Sequence, residues 1–257
     1  MQVIVVGAGL GGLGAAIAIL LAGHDVQVLE SASEIAEVLP PYPLSPYFYH
    51  FKYQNQVLTE EQVGAGIQIL PNSSRILQTW GMYNMLEPYA TKPKQVNFLG
   101  WKGNLISSMN AHESAAKYPG SFYWDFHRAN LHRCLYDRAI ELGATVLTQS
   151  RVLDVLTRVG PGGEKARVVL EEGRMMEADL VVGADGINSK LREVMLGRED
   201  PPTPTGDLAY RLLLSTKEML KDPELASFVT DPQVNYWLGP DAHAGELFVR
   251  CEGWSNG

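Results

Sequence analysis

Gln2-Val3-Ile4-Val5-Val6-Gly7-Ala8-Gly9-Leu10-Gly11-Gly12 decides the fold of this chain. The β-branched run bounded by glycine reads as a parallel strand buried on both faces. In the turn that follows, Gly7 serves the tight bend, Gly9 beside Ala8 lets backbone approach a pyrophosphate, and Gly12 permits close helix–strand packing. From Leu13 the sequence becomes helical: Ala15, Ala16, Ala18, Leu20 and Leu21 are good helix formers, and Gly23 stands where a helix end favours a left-handed residue. Val26 to Leu29 reads as a second strand. Glu30 lies 18 positions past Gly12, close to the ~20 at which an acid accepts hydrogen bonds from an adenosine ribose. Its carboxylate also repels a 2′-phosphate. Strand, turn, helix, strand and acid in register predict a βαβ unit that binds an adenine dinucleotide. Helix dipole and backbone N–H donors serve FAD and NAD alike, so the choice between them stays open at this point.

The rest of the composition narrows the class. With 257 residues, 46% hydrophobic and 19% charged, the chain reads as a folded globular protein of one large domain or two small ones. A formal charge of −8 without a basic stripe argues against a nucleic-acid partner. Cys134 and Cys251 are far apart and lack metal-ligand spacing, which predicts no disulfide framework, no zinc site and a reducing, cytoplasmic setting. No apolar run approaches the ~20 residues of a bilayer span, and Val3 to Val6 has no basic flank of a signal peptide. His127 and His132 lie five apart on a predicted helix, which is not a shared-face spacing.

A second stretch, Ala178-Asp179-Leu180-Val181-Val182-Gly183-Ala184-Asp185-Gly186-Ile187-Asn188-Ser189-Lys190-Leu191-Arg192, reads as an apolar strand ending in a small-residue turn. Asp185 can accept backbone N–H bonds there, before a helix capped near Ser189. A purely structural aspartate would read the same. The segment resembles the Asp-Gly motif of the flavoprotein aromatic hydroxylases, the family of p-hydroxybenzoate and salicylate hydroxylases, matching at Asp179, Gly183, Asp185, Gly186, Ser189 and Arg192. That resemblance implies a segment that closes the nucleotide-binding sheet and supports the pyrophosphates of FAD and NAD(P)H. Gly64-Ala65-Gly66-Ile67-Gln68-Ile69, with Pro71 to Leu77, looks like the loop and helix that pass beside the flavin. His127-Arg128-Ala129-Asn130-Leu131 is similar to the segment in which an Arg touches FAD, although an exposed Arg in a first helical turn fits equally. Arg128 opens a helix through Leu131, Leu135 and Ala139 that ends at Gly143. Arg151 to Thr157, Ala166 to Glu171 and Met175 to Asp179 alternate like strands, with a turn at Glu172-Gly173.

Val96 to Trp101, Ser121 to Phe126 and Asp207 to Leu212 also read as strands. By the resemblance a smaller sheet covers the flavin, and an Arg of a Tyr-Arg pair faces the substrate. Arg211 is then the leading candidate to bind an aromatic acid or phenolate, where a guanidinium fork gives orientation as well as energy; Tyr236 is the second. An Arg paired on a sheet surface would look alike. The implied architecture is α/β: a Rossmann-like FAD-binding domain with a parallel sheet (1–94 and 126–198) and a partial, mostly antiparallel substrate sheet (95–125 and 199–257). The implied chemistry is an FAD-dependent monooxygenase in which NAD(P)H reduces FAD and the reduced flavin activates O2 for transfer to a salicylate-like ring. Alternatives are a non-catalytic FAD- or nucleotide-binding fragment and an NAD-dependent dehydrogenase; the Asp-Gly motif and Arg128 disfavour the latter.

Two departures from the family pattern stand out. Val38 to Gln62, 25 residues, intervene where relatives run almost directly into Gly64, and they carry Pro40, Pro41, Pro43 and Pro46 among six aromatics. Such a segment has no amphipathic period. Closing a loop of about 29 instead of about 4 residues costs only ~1.8 kcal/mol, so the fold tolerates it. Val38 codons begin with GT and Gln62 can be encoded CAG, so we hypothesise a translated, in-frame intron; a surface lid is the other reading. The family's third motif, a Gly-Asp followed by small residues and a helix directed at the flavin, is missing: Gly206-Asp207 and Gly239-Pro240-Asp241 are decoys in other contexts. The resemblance predicts a chain truncated relative to the family.

Overall fold

The computed structural model describes residues 1–35, 66–156, 165–210, 212, 214 and 216–249. The segment Val38 to Gln62, together with Gly64, Ala65 and Arg211, lies outside the described residues. The chain opens with β1 (Gln2–Val6), α1 (Leu10–Leu21) and β2 (Asp25–Leu29). Next come β3 (Gly66–Ile69), α2 (Pro71–Thr79), α3 (Tyr83–Leu86), β4 (Gln95–Gly100), β5 (Leu105–Asn110), α4 (Ala111–Ala116), β6 (Trp124–His127) and α5 (Arg128–Glu141). Then follow β7 (Thr145–Leu147), β8 (Val152–Leu156), β9 (Ala166–Leu170), β10 (Met175–Ala178), β11 (Leu180–Gly183) and α6 (Lys190–Leu196). The last elements are α7 (Thr216–Met219), α8 (Ala226–Thr230), β12 (Val234–Gly239) and β13 (Ala242–Leu247). Described residues within 1–37 and 132–208 form one compact unit, and those within 38–131 and 209–257 a second.

In the first unit the predicted parallel sheet is present, in the order β11-β1-β2-β7. Val3 pairs with Leu180 on one side and with Val26 on the other, so β1 is central and its apolar run is buried on both faces. A three-stranded antiparallel sheet, β10-β9-β8, adds Val152, Val155, Val168, Leu170 and Ala178 to Ile4, Val6 and Leu29 in one core. Each such Val, Leu or Ile side chain contributes ~1.5–3 kcal/mol by leaving water. The opening helix begins at Leu10 and not at Leu13. Gly7 makes the bend by itself, so Gly11 and Gly12 are already helical, and Leu13, Ala16 and Ile17 form the fully buried stripe.

The second unit holds a mixed sheet, β13-β12-β4-β5, in which β12 runs parallel to β4 and the outer pairs are antiparallel. Val96, Ala111, Ala115, Tyr123 and Val234 are its core, with Tyr236 and Leu247 packed against them. The expected flavin-side loop at Gly66 to Ile69 is instead strand β3, antiparallel to β6, with Gln68 opposite Asp125. The strand expected at Ser121 to Phe126 is displaced to Trp124–His127. That expected at Asp207 to Leu212 is absent over 207–210: no strand pairs with these residues, and Leu208 is 99% exposed. Alternation alone cannot make a strand without a neighbour to hydrogen-bond it.

Candidate functional site

The glycine turn divides its work among three positions. Gly7 has φ +102°, and a Cβ there would strike the Ala184 carbonyl at the end of β11. At Gly12 a Cβ would strike the Gly7 carbonyl. Gly9, by contrast, has nothing within 4 Å of that position. It is the N-cap of α1 and offers no side-chain cap, so the first N–H groups of the helix are left for a ligand.

Glu30 at the end of β2 ties this turn together. Its Oε2 accepts from the Ala8 N–H at 2.8 Å, and its Oε1 accepts from the Ala32 N–H at 2.9 Å and Ser31 Oγ at 3.1 Å. Burial pushes the carboxyl up, but the N–H donors of Ala32 and Ala8 and the Ser31 hydroxyl outweigh it and hold the group below its ordinary value. A carboxylate has about four lone-pair sites, so one remains on Oε2 after these three bonds. The next peptide is fixed too, because buried His132 Nε2 donates to the Ala8 carbonyl at 2.6 Å. Gly7, Gly9, Glu30, Ser31, Asp185 and Gly186 line one cavity of about 350 Å3. Asp185 is the wall facing the turn: Oδ1 accepts from Ser189 Oγ at 2.6 Å and Oδ2 from the Leu191 N–H at 3.0 Å. Ser189 in turn caps α6 by accepting from the Arg192 N–H at 3.0 Å. The sequence expectation of an aspartate that accepts backbone N–H before a Ser-capped helix matches this geometry.

In the second unit Arg128 opens α5 directly after β6. Gly66 sits tight against β13: a Cβ there would lie 2.5 Å from Leu247 Cδ1, so that side chain would have to shift. Tyr236 stacks on Phe98 with ring centroids 5.5 Å apart. Its hydroxyl donates to Gln68 Oε1 at 2.6 Å, and Gln68 Nε2 donates to Tyr123 Oη at 2.8 Å and Asp125 Oδ1 at 3.2 Å. Asp125 is wholly buried; burial drives its carboxyl up to about 7, Gln68 pulling it down and the Glu246 charge pushing it further up. Burial, and then the Asp125 charge, also raise the Tyr123 and Tyr236 hydroxyls. The sequence reading places Gln68 in a flavin-side loop and Tyr123 and Asp125 in a strand, and gives none of them a role of its own. The signal was there: a carboxylate inside the aromatic run Phe122-Tyr123-Trp124-Asp125-Phe126 is buried only with partners.

Residues 59–249 match the family described as FAD binding domain. The chain belongs to that family. It is 35% identical over 256 residues to the FAD-dependent monooxygenase OpS4 of Beauveria bassiana, covering 97% of this chain and 52% of that protein. It is 29% identical over 249 residues to the 6-hydroxynicotinate 3-monooxygenase of Pseudomonas fluorescens, covering 96% and 55%. The crystal structure of Klebsiella pneumoniae HpxO complexed with FAD superposes with a TM-score of 0.67 at 21% identity, over 98% of this chain and 55% of that one, and shows the shared fold. The chain spans about half the length of the relatives it matches. FAD is the dinucleotide of this family, and the residues present fit its adenosine half: an open Gly9, uncapped helix N–H groups and a carboxylate with an acceptor to spare. Among the described residues no helix is long and apolar enough to cross a membrane, and no cluster of His, Cys, Asp and Glu could hold a metal.

Proposed function

We propose that this chain is the FAD-holding part of a monooxygenase that uses NAD(P)H and O2 to hydroxylate an aromatic, salicylate-like substrate. The observation that carries the reading is the turn at Gly7, Gly9 and Gly12, of which Gly9 is the open one, clamped by Glu30 within a chain of the FAD binding domain family. Glu30 accepts from the adenosine ribose, and the N-terminal N–H groups of α1 face the pyrophosphate, with Asp185 and Gly186 across the cavity. By resemblance Gly64, Ala65, Gly66 and Arg128 serve the flavin side. When bound, FAD supplies the redox chemistry that links NAD(P)H to O2, while the protein positions the ring and excludes water. Arg211 binds the substrate's carboxylate or phenolate, and its charge favours the more reactive phenolate; Tyr236 assists. The corresponding functional division is an FAD-binding part at 1–94 and 126–198 and a substrate part at 95–125 and 199–257.

The test is direct. The purified chain is expected to be yellow, and to oxidise NADPH faster when salicylate is added, with O2 consumed. A colourless protein that binds NAD supports a dehydrogenase instead. A colourless and inert protein supports a non-catalytic fragment.

A further inference from the structure

The hydrogen-bond chain beneath Tyr236 has two satisfied arrangements. As it stands, the Tyr236 hydroxyl proton is committed to Gln68 Oε1, and the amide nitrogen faces Tyr123 and Asp125. An ionised Asp125 can only accept, so it holds the amide this way round. A neutral Asp125 can donate; the amide turned over then accepts from Asp125 and directs its NH2 at the Tyr236 oxygen. Both arrangements keep every amide atom bonded, and the protonation of one carboxyl chooses between them.

The surroundings of Asp125 make it a group that exchanges its proton. It is fully buried, and among the described residues neither its Oδ2 nor Thr91 Oγ1 has a hydrogen-bond partner. Thr91 faces Asp125 across a backbone bridge, with N–H···O bonds of 2.9 Å in both directions. The groups that interact with it are Gln68 on β3, Tyr123 on its own segment, Tyr236 on β12 and Glu246 on β13. Burial without a donor on Oδ2 disfavours the anion, in keeping with a carboxyl poised near neutrality.

We propose that Asp125 is a positioning residue that acts through Gln68 to set whether the Tyr236 hydroxyl meets an aromatic ligand as acceptor or as donor. With Asp125 ionised, Tyr236 offers lone pairs to a phenol O–H. With Asp125 neutral, Tyr236 offers its proton to a phenolate or carboxylate. Asp125 touches no ligand itself. The ligand half of this inference rests on the aromatic-monooxygenase reading; the coupling of Asp125 to Tyr236 does not.

The experiment follows the carbon-13 resonance of Tyr236 Cζ in the whole chain, assigned with Y236F, from about pH 5.5 to about pH 8.5. An inflection near pH 7 is expected in the parent and in E246Q, and none in D125N or in Gln68→Met. No inflection in the parent, one that persists in D125N, or one lost in E246Q overturns the proposal, whatever the protein oxidises. Calorimetric titrations with phenol and benzoate, neither of which ionises in this range, give the second readout. Phenol affinity is expected to rise and benzoate affinity to fall, changing their ratio about tenfold across the inflection, the worth of one exchanged hydrogen bond. D125N should show a flat ratio. A fall for benzoate alone marks charge repulsion and overturns the relay. If the resonance titrates as stated and neither probe binds, the aromatic-ligand reading fails while the coupling stands.

Discussion

Gly9→Ala and Gly12→Ala are expected to separate cofactor binding from folding at two positions three residues apart. Gly9 sits at φ −71° and ψ −179°, backbone that any residue adopts, and a methyl there meets nothing within 4 Å. The substitution restricts the unfolded chain and adds ~0.4–1 kcal/mol of stability. A methyl on Gly12 falls on the Gly7 carbonyl and comes within 3.4 Å of Ala184 Cβ, so α1 must move off β1. Overpacking costs ~1–3 kcal/mol, and a clash with backbone belongs at the upper end. At ~2–4 °C per kcal/mol for a chain of this size, G12A should melt ~6–12 °C below the parent, and G9A at or slightly above it. FAD affinity should run the other way for G9A. The methyl occupies the approach to the helix N–H groups, and each charge-assisted bond lost removes ~1.5–3 kcal/mol, about ten- to hundredfold in Kd. Thermal melts of the apoprotein and titration of flavin fluorescence measure the two quantities. A G9A protein that binds FAD as the parent does, or that melts as low as G12A, would refute the division of labour.

Other substitutions probe the supporting bonds. Ser189→Ala removes the cap of α6 and should cost ~1 kcal/mol, a drop of ~2–4 °C in Tm, with Asp185 losing one of its two donors. Glu30 is held below its ordinary 4.5, so its contribution is present above that pH and is lost as pH falls through the lower folded value. Glu30→Gln should therefore flatten the acid side of the stability profile in urea unfolding below about pH 5 and weaken FAD binding; a profile as steep as the parent's would count against the clamp. If Val38 to Gln62 is a translated intron, transcripts lacking those 75 nucleotides should be found. Reads that always cross the segment without a shorter form would remove the idea.

The first unit was legible in the sequence because its signals are local. A β-branched run, three glycines with distinct steric duties and an acid at fixed spacing each report on contacts within the βαβ unit, and the structure places Gly7, Ala8, Gly9, Gly12 and Glu30 together. Asp185 was legible for the same reason, since its carboxylate serves the Ser189 hydroxyl and the Leu191 N–H, both within six residues. The helix starts before the expected Leu13 because Gly11 and Gly12, poor helix formers by propensity, lie inside α1. The second unit was harder. Its strands pair residues far apart, as Gln68 with Asp125 and Val96 with Val234, and alternation in Asp207 to Leu212 promised a strand for which no partner exists among the described residues. Tyr236 was chosen from a resemblance, but its partners Gln68 and Asp125 come from two other segments that only the fold unites.

Strand β11 lies beside β1 although Gln2 and Asp179, which hydrogen-bond at 2.7 Å, are 177 residues apart. On a ribosome adding ~5–20 residues per second, that separation is roughly 9–35 s during which β1 has emerged with one edge bare. The turn at Gly7 leans on the Ala184 carbonyl, and Asp185 faces it across the cavity, so neither wall exists in the nascent chain until this distant strand is made. Completion of the cavity therefore waits on residues some 177 positions downstream of β1. Until then a newly made chain must keep an apolar parallel strand from pairing with a stranger.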